Sequence, residues 1–499
     1  MCGIFGISNV KREVACDIYE ALLMLQHRGQ DAAGMVTLDA AKRFHELKDK
    51  GLVKDVFNET NIHHLKGTTG IGHVRYPTAG SLCAKEAQPF FINAPFGIYL
   101  VHNGNITNTE ALKTNILTNY RRHLRTTSDS EVLLNILSDS LYQVFKKHPQ
   151  TKDVEAIFQG VIETMKVVKG SYSVICLIDN VGLLAFRDPF GIRPLSIGVR
   201  ESASGTEWAI ASEDVAFHPI EFQKVRDVKP GEAVLITPDG KMQSRQCSVG
   251  KLCPCIFEYI YLARPDSMLD GISVYKTQMR FGKFLGEQIL KSGLEIDSIM
   301  PVPDSSRPAA LEVSKVTGIK YREGLVKSRY TGRTFIMSEQ NERARSVRRK
   351  FNTIPLEFRN RNVLLVDDSI VRGTTMKQII QMCREAGAKK VYVASAAPPV
   401  RFPNVYGVDM PTKQEFVANG LSEDEIGELL GADKIFYQTV EDMIKAAHEG
   451  NEQIDQFEAS CFDGHYITGD IDQAYLENLA SSRRTTKKVD EIRPSIPVS

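Results

Sequence analysis

No apolar run among the 499 residues is long enough to cross a bilayer. The opening Met-Cys-Gly-Ile-Phe-Gly lacks the basic-then-apolar pattern of a secretory leader. A charge excess is missing too: 62 lysines and arginines face 61 acids, so the overall balance points to neither nucleic acid nor an anionic membrane. Cysteine is sparse, nine scattered residues that form no disulfide framework. These absences leave a protein of a reducing aqueous compartment, expected to be cytoplasmic, with no membrane and no nucleic-acid partner. Its length predicts two or more domains.

The most informative stretch is Asn362 to Thr375, NVLLVDDSIVRGTT. Val363-Leu364-Leu365-Val366 reads as a buried parallel strand, and Asp367-Asp368 follow where such a strand ends and a site begins. Ser369, Ile370, Val371, Arg372, Gly373, Thr374 and Thr375 then supply hydroxyls, a glycine and free N–H groups. Met376, Ile379, Ile380 and Cys383 carry helical spacing, and Gly387 is placed to end that helix. A loop opening a helix in this way holds a phosphate, and two adjacent carboxylates suit sugar hydroxyls or magnesium. The plainer reading is a buried strand followed by an ordinary polar turn.

The string VLLVDDSIVRGTT resembles the substrate loop of type I phosphoribosyltransferases, which bind 5-phosphoribosyl-1-pyrophosphate (PRPP). The resemblance implies that Asp367, Asp368, Ser369, Val371, Arg372, Gly373, Thr374 and Thr375 bind PRPP. It also implies a magnesium ion held by Asp367, Asp368 and the hydroxyl of Ser305, which follows the strand end Ile299 to Pro303. From about Ser273 to His448, helical patterns alternate with short apolar strands such as Lys390 to Ala396, which predicts a doubly wound parallel sheet.

Near the start, Cys2 follows Met1, and removal of Met1 would leave a thiol and an amine on one residue. That amine, with an ordinary pKa near ~8, can serve as the base for its own thiol. Four further stretches stand out: Leu25 to Asp31 with His27-Arg28-Gly29, Gly72 to Gly80 with Arg75, Val101 to Asn105 with Asn103-Gly104, and Thr126 to Glu131 with Asp129. Taken singly they are a helix end, a salt-bridged arginine, a hairpin turn and a helix cap. In this order they resemble the class II glutamine amidotransferase domain of the N-terminal nucleophile (Ntn) superfamily, from Cys2 to about Ile236.

That resemblance implies a four-layer αββα domain with Cys2 as nucleophile and Asn103 and Gly104 as the oxyanion hole. It assigns Arg75 to the α-carboxylate of glutamine, Asp129 to its α-ammonium, and Arg28 to a supporting place in the glutamine site. The strand Val234-Leu235-Ile236 reads as the last of this domain, and the polar, unperiodic stretch from about Lys241 to Lys251 as a linker.

Lys327 to Lys350 holds eight lysines and arginines against Glu339 and Glu342. It resembles the flap that closes over PRPP, with Lys327, Arg329, Tyr330, Gly332 and Arg333 as its residues; a solvated, salt-bridged helix from Asn341 to Lys350 describes part of it equally well. Some similar amidotransferases carry an iron–sulfur cluster on four cysteines. Asn404 stands where that subgroup has a cysteine, so no cluster is expected, and Cys253, Cys255 and Cys461 read as ordinary thiols. The tail from about Glu477 to Ser499 reads as poorly ordered.

The expected organisation is therefore α/β and α+β: residues 1–240 glutaminase, 241–272 linker and interface, 273–450 phosphoribosyltransferase, 451–499 a helical segment and tail. Joined, the two resemblances imply transfer of ammonia from glutamine to C1 of PRPP, giving 5-phosphoribosylamine, glutamate and pyrophosphate, the first committed step of purine nucleotide synthesis. They also imply feedback by purine nucleotides and a homo-oligomer. The alternatives are an amidotransferase of the same type with another acceptor, and a non-catalytic nucleotide-sensing relative.

Overall fold

The computed structural model describes residues 1–9, 11–76, 84–147, 154–203, 205–328, 347–410 and 412–481. A seven-stranded antiparallel sheet is built around Gly3–Ser8, flanked by Thr69–Arg75 and Gly205–Ala211. Ala32–Leu38 and Phe44–Lys50 extend it on one side, and Ser196–Ser202 and Gln223–Asp227 on the other. A second antiparallel sheet runs, in spatial order, Met242–Gln246, Glu232–Ile236, Gly182–Arg187, Gly170–Ile178, Ile98–Ile106 and Phe90–Ile92.

Strand alternation explains why these sheets stack. Ile4, Val36 and Ile71 of the first sheet meet Val101, Ile175 and Leu183 of the second in one buried layer. The opposite faces are closed by helices: Ala15–Met24 covers Phe5 and Ile7, while Asp129–Lys147 and Val154–Val167 cover Leu100, Val174 and Phe186. The result is the expected αββα order of layers.

Two features differ from the sequence reading. Met242–Gln246 is a further strand rather than linker. With one apolar residue in five and an exposed edge position, it carries no alternating signal. Asn103-Gly104 lies inside the strand Ile98–Ile106 and makes no hairpin turn.

Farther along, Ser298–Pro301, Asn362–Asp367, Lys390–Ser395 and Lys434–Tyr437 form a parallel sheet in that order. Its central strand is buried on both faces. Leu364 and Val366 pack towards helices Val274–Ser292, Arg307–Thr317 and Val440–His448, and Val363 and Leu365 towards Thr374–Glu385 and Glu423–Leu430. That two-sided burial is why the strand reads as a continuous apolar run. A helix at 473–481 takes in the first residues assigned to a poorly ordered tail, and 482–499 lie outside the described residues. No helix among the described residues is long and apolar enough to cross a membrane.

The two halves meet along segment 402–410, which connects the strands Lys390–Ser395 and Lys434–Tyr437 of the parallel sheet and docks on the second antiparallel sheet. The Val405 carbonyl accepts from Asn105 Nδ2 at 2.9 Å, and the Tyr406 carbonyl accepts from Ser171 Oγ at 2.8 Å and Arg193 Nε at 2.7 Å. Thr107 Oγ1 donates to Asp470 at 2.6 Å. Met1 and Ile192 from the first half share one buried cluster with Cys255, Ile256 and Tyr406.

Candidate active site

Cys2 sits at the lip of the central strand, just before Gly3. A side chain on Gly3 would come within 2.8 Å of Val74, so the strand approaches its neighbour closely there. The Cys2 N–H donates to Asn103 Oδ1 at 3.3 Å, and its thiol lies 3.7 Å from the Tyr76 carbonyl. Asn103 is 1% exposed, and its Nδ2 has no partner. An unsatisfied buried donor costs about 1–3 kcal/mol, a cost consistent with a donor kept for something that arrives during a reaction.

Gly104 completes this corner. A Cβ there would fall 2.1 Å from the Ser171 carbonyl and 2.8 Å from His102 Nε2. From the other half, Gly407, at φ +96°, packs so closely on the Gly104 backbone that its own Cβ would lie 2.9 Å from the Gly104 carbonyl. Gly104→Ala must shift this strand off Ser171, and is expected to lower glutamine-dependent activity by roughly 10²-fold, the scale of a misplacement of about 1 Å. The ammonia-dependent rate, measured in the same preparation, should change far less.

Two buried histidines lie near. His73 is fully buried with both ring nitrogens unpaired, and burial pushes it down to about 3. His102 is likewise held below its ordinary value by burial, with Nδ1 2.9 Å from Ser130 Oγ.

Arg75 is nearly buried, with Nη1 3.3 Å from Asp31 and Nη2 2.8 Å from Glu86. Asp129 opens the helix Asp129–Lys147, and its Oδ2 accepts the Ile106 N–H at 3.0 Å, tying that helix to the strand carrying Asn103. Arg28 is wholly buried behind Cys2. Its Nε donates to the Cys2 carbonyl at 3.1 Å, Nη1 pairs with Glu213, and Nη2 lies 2.8 and 3.0 Å from the two Glu258 oxygens. Glu213, Glu258 and Arg193 are equally buried, and the sequence reading had not singled them out. The available signal was Glu258 itself, an acid inside the apolar run Ile256-Phe257-Glu258-Tyr259-Ile260.

In the second half, Asp367 ends the central parallel strand and Asp368 follows. Ser305 and Ser369 hydroxyls donate to the Asp368 carboxylate, the latter at 3.0 Å, and the Asp368 N–H donates to Asp367 Oδ1 at 3.0 Å. Both acids are pushed above the ordinary aspartate range. For Asp367, burial acts first and repulsion by Asp368 second; for Asp368, burial dominates. Gly373 takes φ +71° as the cap of helix Thr374–Glu385, and a Cβ there would fall 2.7 Å from Leu430. The first-turn N–H groups of that helix therefore open beside the acid pair.

Lys327 Nζ reaches Asp304 at 3.1 Å from the end of the short strand Leu325–Lys327. Arg372 stands 3.7 Å from Glu415. The other flap residues, Arg329, Tyr330, Gly332 and Arg333, lie outside the described residues. Among the described residues no three His, Cys, Asp or Glu side chains converge as a metal cage.

These two constellations occur together in known proteins. Residues 73–219 match a glutamine amidotransferase domain model and residues 279–401 a phosphoribosyl transferase domain model. The chain is 51% identical to an amidophosphoribosyltransferase of Haemophilus influenzae over 493 residues, covering 98% of this chain and 97% of that protein. It belongs to the amidophosphoribosyltransferase family. The family's members are glutamine-dependent pentosyltransferases acting at the first step of purine biosynthesis. The Escherichia coli member is 51% identical over 98% of this chain and 97% of its own length, and the Saccharomyces cerevisiae member 44% over 97% and 96%. Among solved structures, the Bacillus subtilis glutamine PRPP amidotransferase complexed with ADP and GMP superposes with a TM-score of 0.82 at 35% identity, covering 95% of this chain and all of that one.

Asn404 has a clear place in this amidophosphoribosyltransferase fold. Its Oδ1 accepts the N–H groups of Tyr406 at 2.8 Å and Val408 at 3.1 Å, and its Nδ2 donates to Glu458 at 3.4 Å. It thereby shapes the segment lying against Gly104. Asn404→Ala would strand two backbone donors, which predicts a loss of about 2–3 kcal/mol, read as a lower urea midpoint with unchanged slope. The thiols of Cys253, Cys255 and Cys461 are buried nearby, and burial pushes Cys253 up to about 12.

Proposed function

We propose that this chain carries out the family reaction with the following division of roles. Cys2, once Met1 is removed, attacks the side-chain amide carbon of glutamine, its own amine taking the thiol proton. A thioester forms, ammonia leaves, and water then releases glutamate and restores the thiol. Asn103 Nδ2 and the Gly104 N–H receive the charge developing on the amide oxygen. Arg75 and Asp129 bind the glutamine α-carboxylate and α-ammonium. Arg28, placed behind Cys2, positions the nucleophile.

In the second half, the loop Ser369 to Thr375 binds the 5′-phosphate of PRPP, and Asp367 and Asp368 bind the ribose hydroxyls. Lys327 with Arg329, Tyr330, Gly332 and Arg333 covers the pyrophosphate. The acid pair with Ser305 suits magnesium: two adjacent carboxylates, half-buried Asp367 and buried Asp368, stand with the Ser305 hydroxyl on Asp368, and magnesium binds through one or two carboxylates plus substrate phosphate. When bound, magnesium supplies charge neutralisation at the pyrophosphate leaving group. Ammonia attacks C1 as pyrophosphate departs. The nucleotides named for the Bacillus subtilis structure support purine nucleotides as ligands of this chain too.

One observation carries the glutaminase reading: a buried, unpaired Asn103 Nδ2 on the same side chain whose oxygen holds the Cys2 N–H. The test is to follow glutamate and pyrophosphate from glutamine with and without PRPP and magnesium. Equal amounts of both, formed only when both substrates are present, support the reading. Glutamate formed without PRPP dependence and without pyrophosphate would refute the acceptor.

A further inference from the structure

Four buried charges connect the Cys2 carbonyl to the docked segment. Arg193 and Glu213 are fully buried, and Arg28 and Glu258 are each 2% exposed. Glu258 is shared. Its two oxygens take Arg28 Nη2 at 2.8 and 3.0 Å, and Oε1 also takes Arg193 Nη1 at 3.2 Å. Each arginine then reaches a main-chain carbonyl, Arg28 that of Cys2 and Arg193 that of Tyr406 in the docked segment. Glu213 holds Arg28 from the other side and accepts from His27 Nε2 at 2.7 Å, Ser267 Oγ at 2.5 Å and the Arg264 N–H at 3.0 Å.

We infer that Glu258 is a positioning residue of the glutaminase: through Arg28 it fixes Cys2, and through Arg193 it makes that placement depend on the docking of the second half. The inference rests on Cys2 being the nucleophile. The geometry gives it two separable consequences.

The first is mechanical. A guanidinium clamped by two carboxylates has a fixed fork, so the Cys2 carbonyl it binds is fixed as well. Removing one charge from a buried group of this kind leaves the other uncompensated and lets the fork move. Displacing a nucleophile by about 1 Å costs roughly 10²-fold in rate.

The second is electrostatic. The charged side chains acting on the Met1 amine, next to Cys2, are Arg193, Arg28 and Asp409 of the docked segment; Glu258 lies on both arginines, Glu213 on Arg28, and neutral His73 stands on Thr69–Arg75. The two arginines and two glutamates cancel. Neutralising Glu258 leaves an added positive charge near the amine, which disfavours its protonated form and lowers its pKa. Neutralising Arg193 does the reverse. A residue serving only to hold the fold together would shift neither.

The experiment uses full-length Glu258→Gln, Arg193→Gln and the double variant, with ammonia-dependent phosphoribosylamine formation as the control for folding. Glu258→Gln is expected to lower kcat for glutamine by roughly 10- to 100-fold with little change in KM. It should move the acid limb of the glutamine pH profile, and of Cys2 alkylation by iodoacetamide, to lower pH. Arg193→Gln should move both limbs to higher pH, and the double variant should return them towards the parent. If Glu258→Gln does not fold, Glu258→Asp keeps the charge, and the expectation becomes a lower kcat with an unmoved limb. An unchanged kcat and limb in Glu258→Gln overturns the inference, as does an equal loss of glutamine- and ammonia-dependent rates. Persistence of glutamine-dependent turnover in Cys2→Ala would instead refute the nucleophile.

Discussion

Replacing Cys2 by alanine is expected to abolish glutamine-dependent formation of phosphoribosylamine while sparing the reaction with free ammonia. Losing a covalent nucleophile removes a pathway rather than weakening a contact, so the expected fall is roughly 10⁴-fold or greater. Nothing in the second site depends on that thiol. The acid pair and phosphate loop stand on the parallel sheet, whose core is distinct from the layer between the antiparallel sheets. Initial rates of pyrophosphate release with glutamine and then with ammonium salt distinguish the cases. A parallel loss in both would mean that Cys2 serves the fold.

The second large effect concerns Asp367 and Asp368, and it divides activity from stability. Asp367→Asn or Asp368→Asn should depress the glutamine and ammonia reactions alike, by roughly 10²- to 10³-fold, because each removes charge from the site proposed for magnesium and the ribose. The same substitutions should stabilise the ligand-free protein. Desolvation raises both carboxyls, half-buried Asp367 and buried Asp368, and Asp367 is additionally raised by Asp368.

The sign of the pH dependence follows. A carboxyl with a folded pKa raised above its ordinary value of 3.8 binds protons more readily in the folded than in the unfolded chain. Its favourable contribution is present at low pH and is lost as pH rises through the raised value. At neutral pH the pair therefore opposes folding, and an amide in place of either acid should raise the ligand-free melting temperature. Saturating magnesium and PRPP should stabilise the parent protein and have little effect on the variants. Thermal unfolding with and without both ligands reads this directly.

The sequence disclosed the parts whose local pattern is their structure. Asn362 to Thr375 combines an uninterrupted apolar strand, a glycine at φ +71° and a periodic helix, so its conformation and its place inside the parallel sheet were both legible. The first half was legible in another way. Arg75, Asn103-Gly104 and Asp129 each have an unremarkable explanation, and their order along the chain supplied the reading.

What stayed hidden depends on tertiary burial. Met242–Gln246 is a strand because Glu232–Ile236 offers it an edge, not because its residues alternate. Glu213 and Glu258 look like any acids until the fold encloses them with Arg28, and only then does Arg28 stand behind Cys2. Gly407 gives no signal of its own, since its small size matters only where it meets Gly104 across the seam.

The central claim is that one chain carries glutamine nitrogen to PRPP. Its most direct measurement supplies glutamine labelled at the amide nitrogen, PRPP and magnesium with no added ammonium, and reads the label in the phosphoribosylamine formed. The account predicts product nitrogen labelled as the glutamine amide is, with one glutamate and one pyrophosphate for each product. Glutamate accumulating with no labelled phosphoribosylamine and no pyrophosphate would contradict it.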